Sequence, residues 1–155
     1  MLEKMWHLML FRFMRARKAV EKIEALLGPE FTEDMLELLL NGMSLVFLVS
    51  SKFRENIRDF EGRYVFKSAD GSFAVSASFA KGRMKVRKGE AGNPTIVVNF
   101  KNSRSLMNFI FSPKPDVLGA MLNQDVVLDG NLNYLYRFAY LANHLRLKGP
   151  ELLRY

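Results

Sequence analysis

Cysteine is missing from this 155-residue chain, so it has no disulfide framework and no thiolate metal site. Histidine is nearly missing too. His7 and His144 are the only two, and neither is followed by a second His or a carboxylate at i+3 or i+4, which argues against a metal site. No G-x-S-x-G, Walker loop or G-x-G-x-x-G occurs. Gly89-Glu90-Ala91-Gly92 has too few glycines for a phosphate cradle. Val126 to Gly130 imitates the start of a dinucleotide fold with one glycine only. Asp125 and Asp129 share a strand face about 13 Å apart, too far to act on one bond. No run is long enough to span a bilayer. The stretch from Met35 to Val49 is broken by Glu37, Asn41, Gly42 and Ser44 and falls short of the ~20 apolar residues a spanning helix needs. The apolar opening, Met1 to Met14, is interrupted by Glu3, Lys4, His7 and Arg12. Arg15-Ala16-Arg17-Lys18 follows it where a leader would carry small residues. These absences predict a protein that is not an enzyme, holds no metal and carries no cofactor, with the cytoplasm as its expected compartment.

What the chain has in excess is apolar bulk and positive charge. Phenylalanine (13) and methionine (9) are abundant, and flexible Met suits both core filling and pockets for variable apolar ligands. The net charge is +7, all of it from residues 61–155, since residues 1–60 carry nine basic and nine acidic side chains. The densest patch is Lys81, Arg83, Lys85, Arg87 and Lys88. It is either a solvated hairpin or a surface for anionic partners.

Periodicity divides the chain. Residues 1–60 read as helix, with Met5, Leu8, Met9, Ala16, Val20, Ile23 and Leu27 at threes and fours and a stop at Gly28-Pro29. Thr32 is the expected N-cap of a second helix. That helix runs to Ser50 and continues, kinked near Gly42 or Ser50-Ser51, through Phe53, Ile57 and Phe60. From Gly62 the period becomes two. Arg63 to Lys67, Ser72 to Ala80 and Arg83 to Lys88 form a meander turned at Asp70-Gly71 and Lys81-Gly82. Phe73, Val75, Ala77 and Phe79 share one face of the second strand. Its small face (Ala74, Ser76, Ser78) either meets water or admits a close neighbour.

Asn93-Pro94 opens a fourth strand, Thr95 to Phe100. Ser103 starts a helix through Leu106, Phe109 and Ile110. Pro113 and Pro115 break the chain before Val117 to Leu122, Val126 to Leu128 is a fifth strand, and a last helix runs from Leu132 to Leu147. On that helix Asn133, Arg137, Tyr140 and His144 form a narrow polar stripe, and His144 reads as a surface or capping residue. So much apolar surface predicts burial on two or more sides.

The order of these strings resembles the sterol carrier protein 2 family. The likeness rests on Gly62-Arg63-Tyr64-Val65-Phe66, Asn93 to Phe100, Ser105 to Ile110, Pro113 to Leu122, and Val126-Val127-Leu128-Asp129-Gly130-Asn131-Leu132, and covers residues 53–147. Two departures stand out. About 50 helical residues precede the family's usual start, and Phe111-Ser112-Pro113 replaces a Gly-Lys before the proline break. The resemblance implies an α+β fold in which a meander and further strands make a five-stranded sheet covered by helices, here with two extra N-terminal helices. It divides the chain into a helical extension (1–52), a lipid-binding domain (53–148) and a tail (149–155).

It also implies an apolar tunnel between sheet and helices. The lining residues carried over are Phe73, Val75, Leu106, Phe109, Ile110, Met121, Leu122, Leu135, Phe138 and Ala139. The expected partner is a lipid (fatty acyl, isoprenoid or sterol-like), bound and transferred, with Lys81, Arg83, Lys85, Arg87 and Lys88 touching an anionic membrane. Two alternatives stay open. One is an interaction or accessory module whose cavity the N-terminal helices plug. The other is nucleic-acid binding through residues 81–88, disfavoured because Phe79 is the one aromatic nearby. A homodimer is compatible with the sequence.

Overall fold

The computed structural model describes residues 29–111 and 116–148. The helix expected over 2–27, the tail and the Pro113–Pro115 break lie outside the described residues. Helix α1 (Pro29–Val49) is followed by a short α2 (Ser51–Arg54) and a 3₁₀ turn (Glu55–Ile57). Strands β1 (Gly62–Ser68), β2 (Ala74–Ala80), β3 (Arg83–Lys88) and β4 (Ile96–Phe100) precede helices α3 (Ser103–Phe111) and α4 (Val117–Leu122). Strand β5 (Val126–Gly130) and helix α5 (Leu132–Lys148) end the described chain.

One sheet holds all five strands in the order β3-β2-β1-β4-β5. Only the β1–β4 pair is parallel. The register puts Tyr64 opposite Ala77 and Ile96, and Phe66 opposite Val75 and Val98. Tyr64, Phe66, Phe79, Ile96, Val98 and Phe100 therefore share one face, and all are buried. The β2–β3 turn has Lys81 at φ +52 and Gly82 at φ +71, the paired positive values of a tight type I′ hairpin.

Helix α1 begins earlier than its sequence suggests. Pro29 is already helical, so Thr32 lies inside the helix, fully buried, and does not cap it. Met35, Leu36, Leu40, Met43, Val46 and Phe47 are buried on it, and all but Met35 join the same core as the sheet. Gly42 does not interrupt it. The break comes at Ser50, which is extended (φ −107, ψ 110), and the axis turns by 103° there.

Helix α1 guards the edge strand β3. The Ser44 hydroxyl donates to the Met84 carbonyl at 2.6 Å, and the Ala74 N–H donates to Glu33 Oε2 at 3.0 Å. Lys88 sits among Asp34, Glu37 and Glu33, bonding Asp34 most closely. The hydrogen bond to Asp34 leads the causes that hold its ammonium above the usual lysine range. A raised lysine pKa stabilises the fold at all pH below the unfolded value and loses that effect as pH rises through the folded one.

The opposite sheet face explains the small residues of β2. The chain from Gly89 to Thr95 crosses behind the sheet to reach β4. Ser76 Oγ donates to the Gly89 carbonyl at 2.6 Å and accepts from the Ala91 N–H at 2.8 Å. Arg63 Nη1 reaches the Gly92 carbonyl at 3.3 Å, and Lys67 pairs with Glu90 at 2.7 Å. The small face thus admits a backbone strap. Ser76→Ala leaves two strap groups without their partner and is expected to cost about 1–3 kcal/mol. Urea denaturation checks this, with Ser78→Ala on the same face as the reference expected near zero.

Candidate functional site

The helix-covered face was the expected tunnel, and aromatic rings occupy its centre. Phe138 of α5 lies 5.2 Å from the Tyr64 ring centroid, 5.0 Å from Phe66 and 6.4 Å from Phe79. Phe60 adds contacts to Tyr64 at 6.3 Å and Phe79 at 5.2 Å. Centroid spacings of 4.5–7 Å are those of packed aromatic pairs. The Tyr64 hydroxyl satisfies itself by donating to the Tyr134 carbonyl at 2.7 Å. Burial is the main cause that pushes it above the usual tyrosine range.

The ten expected lining residues divide by position. Phe73, Val75, Leu106 and Leu135 are buried in the common core. Phe109, Met121 and Phe138 are half-buried against it, and Ala139 is half-buried on the same helix as Phe138. The Ile110 side chain lies outside the described residues. Leu122 is 84% exposed and does not line the interior, because the short α4 turns only its Val117 and Met121 side inward. Leu118 is also exposed. The α3–α4 end of the sheet therefore shows a greasy rim (Leu118, Leu122) beside half-buried Met121 and Phe109. Phe109 leads inward to Phe100 at 6.0 Å, and Phe100 to Phe73 at 6.2 Å.

Helix α5 is buried on one side only. Leu135 and Leu141 face the core, whereas Tyr136 and Tyr140 are exposed. A tyrosine tolerates water at its polar tip. The expected polar stripe is partly a seam. Arg137 donates to the Asn56 carbonyl at 2.8 Å and lies over the Phe60 ring at 5.3 Å. His144 meets Phe53 edge-on at 5.5 Å and stacks with Tyr140 at 5.7 Å, so it is a docking residue and not a cap.

The basic hairpin also divides. Lys88 is engaged by the acids of α1, and Arg87 Nη2 donates to the Glu90 carbonyl at 3.2 Å. Lys81, Arg83 and Lys85 instead line an open groove of about 670 Å³. Its far wall is the α1–α2 elbow, with Ser44, Phe47, Leu48, Ser51, Arg54, Glu55 and Arg58, and Met84 closes the floor. Of the elbow, the Ser50-Ser51 kink was singled out from sequence, but Arg54, Glu55 and Arg58 were not. Ser50-Ser51 followed by Arg54 and Arg58 at helical spacing was the available signal. Among the described residues no group of three or more His, Cys, Asp and Glu is placed to hold a metal ion. Among the same residues no single helix is long and apolar enough to cross a membrane.

No protein-family model matches the chain, and no curated protein matches it either. Solved structures do match. The sterol carrier protein domain 2 of Helicoverpa armigera superposes with a TM-score of 0.54 at 16% identity, covering 74% of this chain and 88% of that one. The UbiJ-SCP2 ubiquinone synthesis protein gives 0.52 at 14% identity, covering 70% of this chain and 96% of that one. A double mutant of a sec-alkyl sulfatase gives 0.50 at 18% identity over 57% of this chain, which spans only 14% of the sulfatase. Two of these are near-complete matches to small domains built on the same architecture. The chain has the sterol carrier protein 2 fold.

Proposed function

We propose that this protein binds an apolar lipid on the helix-covered face of its sheet and hands it on without chemistry. The observation that carries the reading is the greasy rim at the α3–α4 end, leading through Phe109 and Phe100 to Phe73 in a fold of the sterol carrier type. A hydrocarbon chain entering there would displace Phe138 and lie along Val75, Leu106, Met121, Leu135 and Ala139. Affinity would come from area removed from water, about 0.8 kcal/mol for each buried CH₂. Lys81, Arg83, Lys85 and Arg87 would meet an anionic bilayer during transfer.

A second reading is favoured by the ring cluster itself. The chain's own aromatics fill the interior, as in an accessory module that holds no ligand. Native mass spectrometry of the purified protein, with displacement of a fluorescent fatty acid, separates the two. The lipid reading expects a bound mass and roughly four-fold tighter binding for each added CH₂, the factor equivalent to about 0.8 kcal/mol. Absence of both a bound lipid and any displacement leaves the accessory module.

A further inference from the structure

We propose that the groove between the α1–α2 elbow and the β2–β3 turn is a second site, which takes one single-chain lipid with an anionic head. Its volume of about 670 Å³ suits one small ligand. Its floor and wall are apolar: Phe47 and Met84 are buried at the base, and Leu48 is 60% exposed beside them. Its rim is cationic. Arg54, Arg58, Lys81, Arg83 and Lys85 line it, against one acid, Glu55.

Whereas Lys67 and Lys88 each have acidic partners, none of these five cations has one within ion-pair distance among the described residues. The backbone brings them together. Arg83 and Lys85 are two apart on β3 and share one side of the strand, the side opposite Met84. Lys81 sits at the turn tip, and Arg54 and Arg58 are one helical turn apart on the elbow. The Gly82 position of the turn packs toward Arg58, whose Cα would lie 3.9 Å from a Cβ built there. Like charges gathered around a concavity repel one another unless an anion sits between them.

The shape selects the occupant. Lys81, Arg83, Lys85, Arg54 and Arg58 line an open groove together with Leu48, Phe47 and Met84, which offers cations for a charged head and apolar surface for a hydrocarbon tail. Nucleic acid fits less well, because Phe47 is buried and offers no ring for stacking.

The test titrates the full chain with dodecyl phosphate below its micelle concentration, followed by calorimetry and by amide shifts of residues 81–85. Dodecyltrimethylammonium and inorganic phosphate serve as the other arms. The expected result is saturable binding of dodecyl phosphate, little or none of the ammonium compound, and no displacement by equimolar phosphate. Arg83→Glu with Lys85→Glu should weaken dodecyl phosphate by about ten-fold or more, since charge-assisted contacts are lost. Leu48→Asp, at an exposed position, should do the same while circular dichroism stays unchanged. Two outcomes overturn the site: undiminished binding by both variants, or displacement by inorganic phosphate alone, which marks a bare anion patch. Failure to bind at all overturns it equally. The path proposed for lipid through Phe109, Phe100 and Phe73 uses none of the residues varied here, so the two sites fail separately.

Discussion

Gly130→Ala is expected to lower the unfolding free energy by about 3 kcal/mol or more, combining a strained backbone with a steric clash. Gly130 ends β5 with φ +126, a value that L side chains rarely adopt. A Cβ there would lie 2.5 Å from the Thr95 carbonyl oxygen and 2.9 Å from the Ile96 Cα. Both are backbone atoms at the head of β4. They cannot retreat without opening the β4–β5 ladder, in which Ile96 faces Gly130. The Thr95 N–H is itself bonded to the Arg63 carbonyl at 2.8 Å, so β1 would be disturbed as well. Gly89 provides the comparison. It has φ +91 but nothing within 4 Å of a Cβ, so Gly89→Ala should carry only the conformational cost of about 1–2 kcal/mol. Urea melts of the two variants isolate the clash. Equal losses would show that β5 does not approach β4 this closely.

The same position shows why parts of this fold are legible in the sequence. Asp129-Gly130-Asn131 reads as a strand end because glycine fits where backbones meet and Asn131 then caps α5, its Oδ1 accepting from the Asn133 N–H at 2.9 Å. The meander follows from alternation and from turn residues, which are local. So does the α4 start, where Asp116 Oδ1 accepts from the Gly119 N–H at 2.9 Å. Other features depended on distant partners. Ser76 and Ala74 look like a watery face until the strap from Gly89 to Thr95 folds across them. Lys88 looks like one more exposed cation until α1 brings three carboxylates to it. The rim of the groove joins residues about 30 positions apart, and only the 103° turn at Ser50 sets them side by side. Whether a helix-covered face is hollow or filled depends on ring rotamers, which periodicity does not encode. The sequence signalled that Phe138 faces the sheet, but not that its ring would stand among Tyr64, Phe66 and Phe79.

That ring is the decisive place to intervene. Phe138→Ala should cost about 2–3 kcal/mol, somewhat less than a fully buried phenylalanine, because Phe138 is only half-buried. The hole left behind is lined by Tyr64, Phe66 and Phe79, and the one nearby polar tip, the Tyr64 hydroxyl, is already satisfied by Tyr134. Water gains few hydrogen bonds in such a space, whereas a hydrocarbon chain replaces the lost contacts. If lipid lies where the ring now stands, the variant should bind a fatty acid more tightly than the parent, having no ring to displace. Saturating lipid should then restore much of the lost stability, about 2.7 kcal/mol at a hundred-fold excess over the dissociation constant. Thermal melts with and without fatty acid read both effects in one experiment. Leu40→Ala, a core position on α1 and not on the helix that carries Phe138, should be destabilised without any rescue. A Phe138→Ala protein that is weakened and indifferent to lipid would mean that the ring packs a solid core, and that the sterol carrier fold here serves a partner and not a ligand.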